Sequence, residues 1–140
     1  MTGTKQSIAV SSVLELHEWI AEVFQRKASS DALEKLYGAF HRDFRMITIS
    51  GQVWSVDQVR QLFTSRQGAR PGLHIGIEDI TVIADYGDDI WVRYQENHDE
   101  EGMRVVRQST ACIHVTGQGW CWRYLQETPS TLARNAGSSR

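Results

Sequence analysis

The stretch "RVVRQSTACIHVTGQGWCWRYLQET", residues 104–128, consists of two strand-like segments that are joined by the turn "TGQG". β-Branched and aromatic residues dominate both segments, and a short glycine-containing turn between such segments is typical of a β-hairpin. Two more strand-like segments precede this stretch, at residues 72–83 and 90–98. Four long strands without an intervening helix predict a meander of antiparallel strands.

The strand-like segment at residues 72–83, "GLHIGIEDITVI", changes the phase of its alternation. Leu73, Ile75 and Ile77 are odd-numbered, whereas Ile80 and Val82 are even-numbered. One inserted residue restores the alternation, so we predict a β-bulge within Ile77–Ile80.

Three helical segments precede the strands. Apolar residues recur every three or four positions over about Val10–Lys27, which predicts a helix with one buried stripe. A second helix is predicted to begin at Ser30 or Asp31. A third follows Ser55, where "SVDQ" forms a capping box with Gln58. The segment "FRMITISGQVW" between the second and third helices predicts a short hairpin that turns at Ser-Gly.

The length and composition of the chain are those of one ordinary globular domain. It has 140 residues, of which 41% are hydrophobic and 23% are charged, both close to globular averages. We predict a flexible N-terminus over residues 1–9, one domain over residues 10–129 and a disordered tail over residues 130–140.

The charge and residue patterns argue against several classes of function. The net charge is −2, from 15 basic and 17 acidic side chains without a basic block, so we expect no nucleic-acid binding. No apolar run is long enough to span a membrane, and the N-terminus lacks the apolar core of a signal peptide, so we expect a cytoplasmic protein without membrane contact. Cys112 and Cys121 are expected to be reduced structural thiols. The five histidines form no short-range ligand pair, so we expect no metal or other cofactor.

These observations predict an α+β fold in which three N-terminal helices pack on a curved, mainly antiparallel sheet that forms a cone. The segments "LYGAFHRDFRMITISG" (36–51), "RVVRQSTACI" (104–113) with its arginine, and "WRYLQET" (122–128) carry a resemblance to a known group. Over about residues 10–129, the chain resembles the nuclear-transport-factor-2-like (cystatin-like) superfamily, and most closely an uncharacterised branch. The superfamily includes ketosteroid isomerases, scytalone dehydratase and the SnoaL polyketide cyclases. The resemblance implies the cone-shaped fold, and it leaves the reaction open.

The turns predict which residues of the last three strands share a face. Turns at Asp99–Gly102 and Thr116–Gly119 place Tyr94 opposite Arg107, and Arg107 opposite Thr128. This face is less polar than the other one, so we expect it to lie under the helices. It collects Ile90, Val92, Tyr94, Glu96, Val105, Arg107, Ser109, Ala111, Ile113, Trp122, Tyr124, Gln126 and Thr128.

Along the last strand this covered face changes from aromatic to polar side chains, which is typical of a ligand pocket. We expect Arg107 to attract a carboxylate, enolate or phenolate oxygen of a small anionic or aromatic ligand. Phe40 is expected to pack on the ligand body. The candidate ligand contacts are Tyr37, Trp54, Tyr94, Arg107, Ser109, Trp122, Tyr124 and Gln126.

An alternative interpretation needs no ligand. Arg107 pairs with Glu96 in that case, and Gln126 and Thr128 lie at a solvated rim. An error of one residue in either turn also exchanges the two faces of a strand.

Two residues are candidates for catalysis. His17 lies on the buried stripe of the first helix, where it is either a hydrogen-bonded core histidine or a general base. Asp43 is the carboxylate nearest to the hairpin region from which, by the resemblance, an isomerase base would come, but Arg42 and Arg45 flank it. The reactions that the resemblance implies are proton transfers without a cofactor, such as isomerisation, cyclisation or dehydration.

The opposite face of the sheet predicts a homodimer. Trp91, Val106 and Leu125 lie there among long polar side chains, a composition that suits a polar interface, and the resemblance implies dimerisation through this face. A non-catalytic interaction domain whose cone is filled by its own side chains is therefore the alternative function. The volume of the cavity under the helices distinguishes the two functions.

Overall fold

The computed structural model describes residues 2–26 and 31–130, which form three helices on one face of a six-stranded sheet. The strand order is β2-β1-β6-β5-β4-β3, and every neighbouring pair is antiparallel except β1 with β6. The predicted α+β architecture is confirmed. The elements are α1 (Thr2–Gln25), α2 (Asp31–Ala39), β1 (Phe40–Ile47), β2 (Val53–Ser55), α3 (Val56–Ser65), β3 (His74–Tyr86), β4 (Asp89–Glu100), β5 (Met103–Thr116) and β6 (Gly119–Pro129).

Helix α1 begins eight residues earlier than the apolar stripe predicts, at Thr2 instead of Val10. The Lys5 ammonium group forms an ion pair with Asp88 in the turn between β3 and β4, and Gln6 donates a hydrogen bond to a carboxylate of β3. These contacts attach the first turns of the helix to the sheet. Helix α1 therefore includes residues 2–9, for which the sequence predicts a flexible N-terminus.

Some predictions fall outside the described residues. They concern the end of the first helix at Lys27, the alternative start of the second helix at Ser30, and the tail beyond residue 130. Within residues 2–26 and 31–130, no helix is long and apolar enough to cross a membrane.

The hairpin and the cap that precede α3 form as predicted. Strand β1 pairs with β2, and Gly51 adopts a φ of 86° in the turn between them, a conformation that favours glycine. The Ser55 hydroxyl accepts a hydrogen bond from the Gln58 amide, and the Gln58 side chain accepts one from the Ser55 amide. This reciprocal pair satisfies two backbone donors at the helix start.

The bulge that the change of phase predicts is present in β3. Pairing with β4 shifts between Glu78 and Thr81, and Asp79 has a φ of 58°, so the prediction for Ile77–Ile80 is confirmed. A second shift, which was not predicted, lies within 82–84. Bulges increase the local twist of a strand, so both help this edge of the sheet to curve.

The turn between β4 and β5 is tighter than predicted. It consists of Glu101–Gly102, with φ values of 52° and 80°, the positive φ pair of a two-residue hairpin turn. Tyr94 therefore lies opposite Ser109, and Glu96 lies opposite Arg107. The predicted partner of Tyr94 is wrong by two residues, but a shift of two leaves every side chain on its predicted face.

A bulge in β6 exchanges the faces of that strand. Ile113 lies opposite Trp122 as predicted, but Cys112 lies opposite Tyr124, so that Arg123 is the extra residue. Insertion of one residue reverses the direction of every side chain that follows it.

The residues after this bulge therefore point in the opposite direction to the prediction. Leu125 and Glu127 are buried under the helices, whereas Gln126 and Thr128 are exposed. The predicted change from aromatic to polar side chains on one covered face is wrong, since Tyr124, Gln126 and Thr128 lie on the outer face. Leu125, which was assigned to the outer face, belongs to the core.

Candidate functional site

A cavity of about 170 Å³ lies between the helices and the covered face of the sheet. Helices α1 and α3 and strand β1 supply most of its apolar wall, and α1 and strands β4, β5 and β6 supply most of its polar wall. An apolar protein cavity of about 150 Å³ holds one benzene molecule, so a single ring fits here. The lining residues are Leu16, His17, Ile20, Phe24, Phe40, Phe44, Met46, Val59, Leu62, Phe63, Arg70, Glu96, His98, Arg107, Leu125 and Glu127.

His17 is the polar residue that α1 contributes to this cavity. Its Nδ1 donates to the carbonyl oxygen of Val13 at 2.7 Å, and its Nε2 lies 3.2 Å from Glu96 Oε1 and 3.4 Å from the Tyr94 hydroxyl. A carbonyl only accepts, so Nδ1 carries a proton. Nε2 also carries one when Glu96 is a carboxylate, which makes His17 an imidazolium.

Glu96 holds a second histidine with its other oxygen. Oε2 accepts a hydrogen bond from His98 Nε2 at 2.6 Å. Only 8% of His98 is exposed, and its Nδ1 is buried without a hydrogen-bond partner in the described part of the chain. When Nε2 carries the proton, the lone pair of the neutral ring is on Nδ1.

Arg107 and Glu127 form the second ion pair of the cavity wall. Arg107 Nη1 lies 3.1 Å from Glu127 Oε1, and 16% of the arginine side chain is exposed. The alternative that pairs Arg107 with Glu96 is therefore wrong, although the two residues are neighbours in the sheet. The Nε of Arg107 is buried without a hydrogen-bond partner among residues 2–26 and 31–130.

The two pairs differ in their electrostatics. Burial alone would raise the pKa of Glu96, but the charge of His17 and the hydrogen bonds from both histidines lower that pKa well below its usual range. Burial alone would lower the pKa of His17, but Glu96 outweighs this effect and the pKa rises. Both shifts favour the charged forms, an imidazolium at His17 and a carboxylate at Glu96.

The carboxyl of Glu127 behaves differently. Burial, with a further contribution from the charge of Glu96, raises its pKa to about 7, and the opposing effect of Arg107 is smaller. Glu127 therefore gains or loses a proton near neutral pH. When Glu127 is protonated, the Arg107 guanidinium lacks a charged partner in this pair.

An ion pair lies at the α3 end of the cavity. Arg70 Nη2 is 2.8 Å from Glu100 Oε1, and the Arg70 guanidinium lies 5.9 Å from the centre of the Phe24 ring. Both Arg70 and Phe24 line the cavity. No pattern in the sequence predicted this pair.

Several residues that the sequence analysis selected lie at or next to the cavity. His17, Arg107 and Phe40 line it. Tyr94 and Ser109 are buried opposite each other on the covered face. Trp122 is fully buried beside His17, and its Nε1 donates to Ser12 Oγ at 3.1 Å, so it acts as core packing.

The remaining candidates lie elsewhere. The Tyr37 hydroxyl bonds to Thr64 in a groove between α2 and α3. Trp54 is half-buried on β2 and packs on the core without lining the cavity. The side chain of Asp43 is 70% exposed, because Phe44 takes the inward position on β1, so a role for Asp43 as a base inside the cavity is wrong.

Tyr124 and Gln126 bond to each other outside the cavity. The Tyr124 hydroxyl donates to Gln126 Oε1 at 2.7 Å, and the Tyr124 ring packs 5.8 Å from the Trp91 ring. The prediction that they line the covered face is wrong because of the bulge at Arg123.

Sequence reasoning missed His98 and Glu127 as residues of the cavity wall. A signal for His98 was available, because it continues the alternation that places Tyr94 and Glu96 on the covered face. No local signal marked Glu127, since its direction depends on the bulge at Arg123.

The sequence matches no family model and no curated protein. Several solved structures are similar to the structure of this chain. A proposed dehydratase of the NTF2-like (nuclear-transport-factor-2-like) family from Streptomyces avermitilis is 16% identical, with a TM-score of 0.68 over 93% of this chain and 99% of that one. A protein of unknown function with a cystatin-like fold from Nostoc punctiforme is 14% identical, with a TM-score of 0.62 over 84% and 88%. These two show the fold alone.

A third similar structure is an NTF2-like protein of unknown function from Pseudomonas aeruginosa. It is 31% identical, with a TM-score of 0.82, and the match covers 88% of this chain and 98% of that one. The two chains thus share both their fold and nearly a third of their aligned residues over most of their length. The chain therefore belongs to the NTF2-like family.

Proposed function

We propose that the cavity binds a small, partly apolar molecule and that Arg107 holds a carboxylate or another oxyanion of this ligand. The observation that carries the proposal is that two residues of the cavity wall, Arg107 and His98, each have a buried polar atom, Nε and Nδ1, without a hydrogen-bond partner in the described ranges. An unpaired buried polar group costs about 1–3 kcal/mol. An anionic ligand would relieve that cost at Arg107.

The charges of the wall support an anion rather than a cation. The positive charge of His17 is balanced by Glu96 at 3.2 Å. Protonation of Glu127, whose pKa is about 7, leaves the positive charge of Arg107 without a compensating negative charge in this pair. A carboxylate that enters beside Arg107 restores neutrality, and charge-assisted hydrogen bonds to guanidinium groups are strong.

The apolar wall supports a ligand with a ring or a short hydrocarbon chain. Phe40, Phe44 and Phe63 line the cavity together with Met46 and Leu125. Aromatic walls with a few convergent polar groups are typical of small-molecule sites. The cavity is small for such sites, which occupy roughly 300–1,000 Å³, so we infer a compact ligand.

A second candidate function, a homodimeric interaction domain, rests on the outer face of the sheet. Trp91 and Tyr124 pack there on each other, with Arg93, Gln95 and Gln108 nearby in the same strand register. Of the predicted apolar anchors, Leu125 faces inward and Val106 is already buried within one chain. The outer face therefore suits a polar interface, which is compatible with a ligand site on the opposite face.

Benzoate tests the ligand-binding function because it joins one apolar ring to a carboxylate. Its binding is measured by thermal unfolding and by titration calorimetry. At ten times the dissociation constant, we expect it to raise the unfolding temperature of the wild type by about 3–6 °C. The same concentration of benzoate should not change the unfolding temperature of Arg107→Met.

Arg93→Met is the matched control, because it removes a guanidinium from an exposed position on the outer face of β4. It should respond to benzoate as the wild type does. Binding should also weaken above about pH 7, where Glu127 is ionised and competes for Arg107. An equal response of Arg107→Met and wild type to benzoate would reject the proposed role of Arg107.

A further inference from the structure

Arg70 is a second arginine of the cavity wall, and the proposed anion site does not use it. It lies in the loop after α3, and its side chain is 35% exposed, whereas that of Arg107 is 16% exposed. Its partner Glu100 is 25% exposed and does not line the cavity. Solvent therefore reaches the cavity wall at Arg70, while Arg107 is more deeply buried.

Three contacts hold Arg70 in place. Its amide donates to the carbonyl oxygen of Phe24 at 2.9 Å, and its guanidinium lies 5.9 Å from the centre of the Phe24 ring. Its Nε and Nη2 lie 2.9 Å and 2.8 Å from the same oxygen, Oε1 of Glu100. A side chain that is already ordered in this way loses little further freedom when a ligand binds to it.

The Glu100 carboxylate occupies only one edge of this guanidinium. The edge formed by Nε and Nη2 is engaged, whereas Nη1 makes no hydrogen bond or ion pair within residues 2–26 and 31–130. A guanidinium has five N–H donors in a planar fork, and carboxylates bind along its edges. Arg70 therefore has donors for a second carboxylate without loss of its pair with Glu100.

We propose that the natural ligand of the cavity is a dicarboxylate whose two carboxylates, at opposite ends of an apolar body, are held by Arg107 and Arg70. Arg70 is the residue that determines this specificity. The inference rests on the proposed function of the cavity, and it adds to that function the class of ligand. The apolar body fills the cavity of about 170 Å³. The second carboxylate lies at the solvent-exposed end, where it takes up little of that volume.

The sheet sets the separation of the two arginines. Arg107 lies directly opposite Glu96, and Glu100, which holds Arg70, is four residues further along β4. At about 3.3 Å per residue, these two positions are about 13 Å apart. Hydrogen bonds of about 3 Å at each end leave about 7 Å between the carboxylate oxygens of the ligand. One benzene ring with two para carboxylates spans this distance.

The surroundings of Arg70 favour a carboxylate over an ammonium group at this end of the ligand. The Arg70 side chain lines the cavity and Glu100 does not, so a ligand in the cavity meets the guanidinium. An ammonium group there would face a like charge, which is unfavourable. A ligand with one carboxylate and one ammonium group should therefore bind less tightly than a dicarboxylate of the same shape.

Two matched pairs of acids test the inference. Terephthalate is compared with 4-methylbenzoate, and 4-(carboxymethyl)benzoate, which is one methylene longer, with 4-ethylbenzoate. Titration calorimetry at about pH 6, where ordinary carboxylic acids are ionised, gives the dissociation constants. Because guanidinium–carboxylate contacts are among the stronger ion pairs, we expect wild type to bind the diacid of at least one pair about five times more tightly than its partner. 4-(Aminomethyl)benzoate should bind less tightly than either diacid.

Arg70→Met should remove the preference for the diacid, except for the statistical advantage of two equivalent carboxylates. The preference is a ratio measured within one variant, so a general effect of the substitution on the cavity cancels. Arg104→Met is the matched control, because Arg104 forms an exposed ion pair with Asp99 on the same hairpin and does not line the cavity. It should keep the preference of the wild type.

Glu100→Gln is the second variant, and it decides the question if Arg70→Met fails to fold. The amide keeps an oxygen for Arg70 but removes the negative charge that competes for it, so the preference for the diacid should increase. If the monoacids bind but wild type prefers neither diacid, the inference is overturned and the anion site stands. The same conclusion follows if the preference survives in Arg70→Met or does not increase in Glu100→Gln. If neither benzoate nor any of these acids binds, the proposed function fails and the inference fails with it.

Discussion

Glu127 Oε1 lies 3.1 Å from Arg107 Nη1, although the residue directly opposite Glu127 is Ser109. The pair is diagonal across β5 and β6, and it forms because the bulge at Arg123 turns Glu127 inward. Without that inserted residue, Gln126 would lie under the helices and Arg107 would face a neutral amide. The bulge therefore sets the charge balance of the cavity.

Because the side chains after Arg123 change faces, substitutions of the neighbouring residues Leu125 and Gln126 should lower the free energy of unfolding by different amounts. Leu125→Ala should lower the free energy of unfolding by about 2–4 kcal/mol, because it removes a core side chain and leaves a space. Gln126→Ala should change it by less than about 0.5 kcal/mol, because that side chain is exposed. Urea denaturation of both variants measures the difference, and equal costs would contradict the bulge.

The raised pKa of Glu127 predicts that stability decreases with pH. Its ordinary value is 4.5 and its value in the folded protein is about 7. Between these values the folded protein keeps a proton that the unfolded chain has lost, so the free energy of unfolding falls as pH rises. The raised pKa of His17 acts in the same direction above its ordinary value of 6.5. From about pH 5 to about pH 8 we expect a loss on the order of 1–3 kcal/mol.

Glu127→Gln isolates the contribution of this carboxyl. The amide keeps an oxygen for Arg107 and cannot take up a proton in this range. Urea denaturation at several pH values should show a smaller loss of stability between about pH 5 and about pH 7 than in wild type. A variant with the pH dependence of the wild type would show that Glu127 is not the group that titrates.

Removal of Arg107 should cost less stability than removal of one partner from a fixed buried ion pair. Loss of such a partner costs about 3–5 kcal/mol when the remaining charge stays buried. Glu127 can instead take up a proton, because its pKa is already about 7. We expect Arg107→Met to cost roughly 1–2 kcal/mol at about pH 6 and more at about pH 8. Chemical denaturation at the two pH values checks this, and a cost that does not change with pH would contradict the pairing.

We propose that two copies of the chain associate through the outer sheet face, with Trp91 and Tyr124 at the centre. Trp91→Glu would place a charge beside the Tyr124 ring, and it should convert a dimer into a monomer. Sedimentation velocity of wild type and variant measures this, with Tyr86→Glu as a control at an exposed position on β3. A wild type that is monomeric at micromolar concentration would reject the proposal.

Local sequence chemistry was sufficient to predict much of the fold. The stripe of helix α1, the capping box of Ser55 with Gln58 and the bulge near Asp79 all depend on residues that are close together in the chain. A helical period, a helix cap and a change in strand alternation each depend on residues that are only a few positions apart. Together with the order of the segments, these features determined an α+β domain with a covered, aromatic-rich sheet face.

The cavity wall depends on pairing between distant segments. The alternation of β6 predicted that Gln126 faces inward. This was wrong because no residue near Arg123 indicates a β-bulge at that position. Only the packing of β6 between β5 and β1 decided that Leu125 should be buried there. Burial of a leucine instead of a glutamine favours this register. The same shift brought Glu127 to Arg107, so the tertiary structure, through core packing, decided which charges line the cavity.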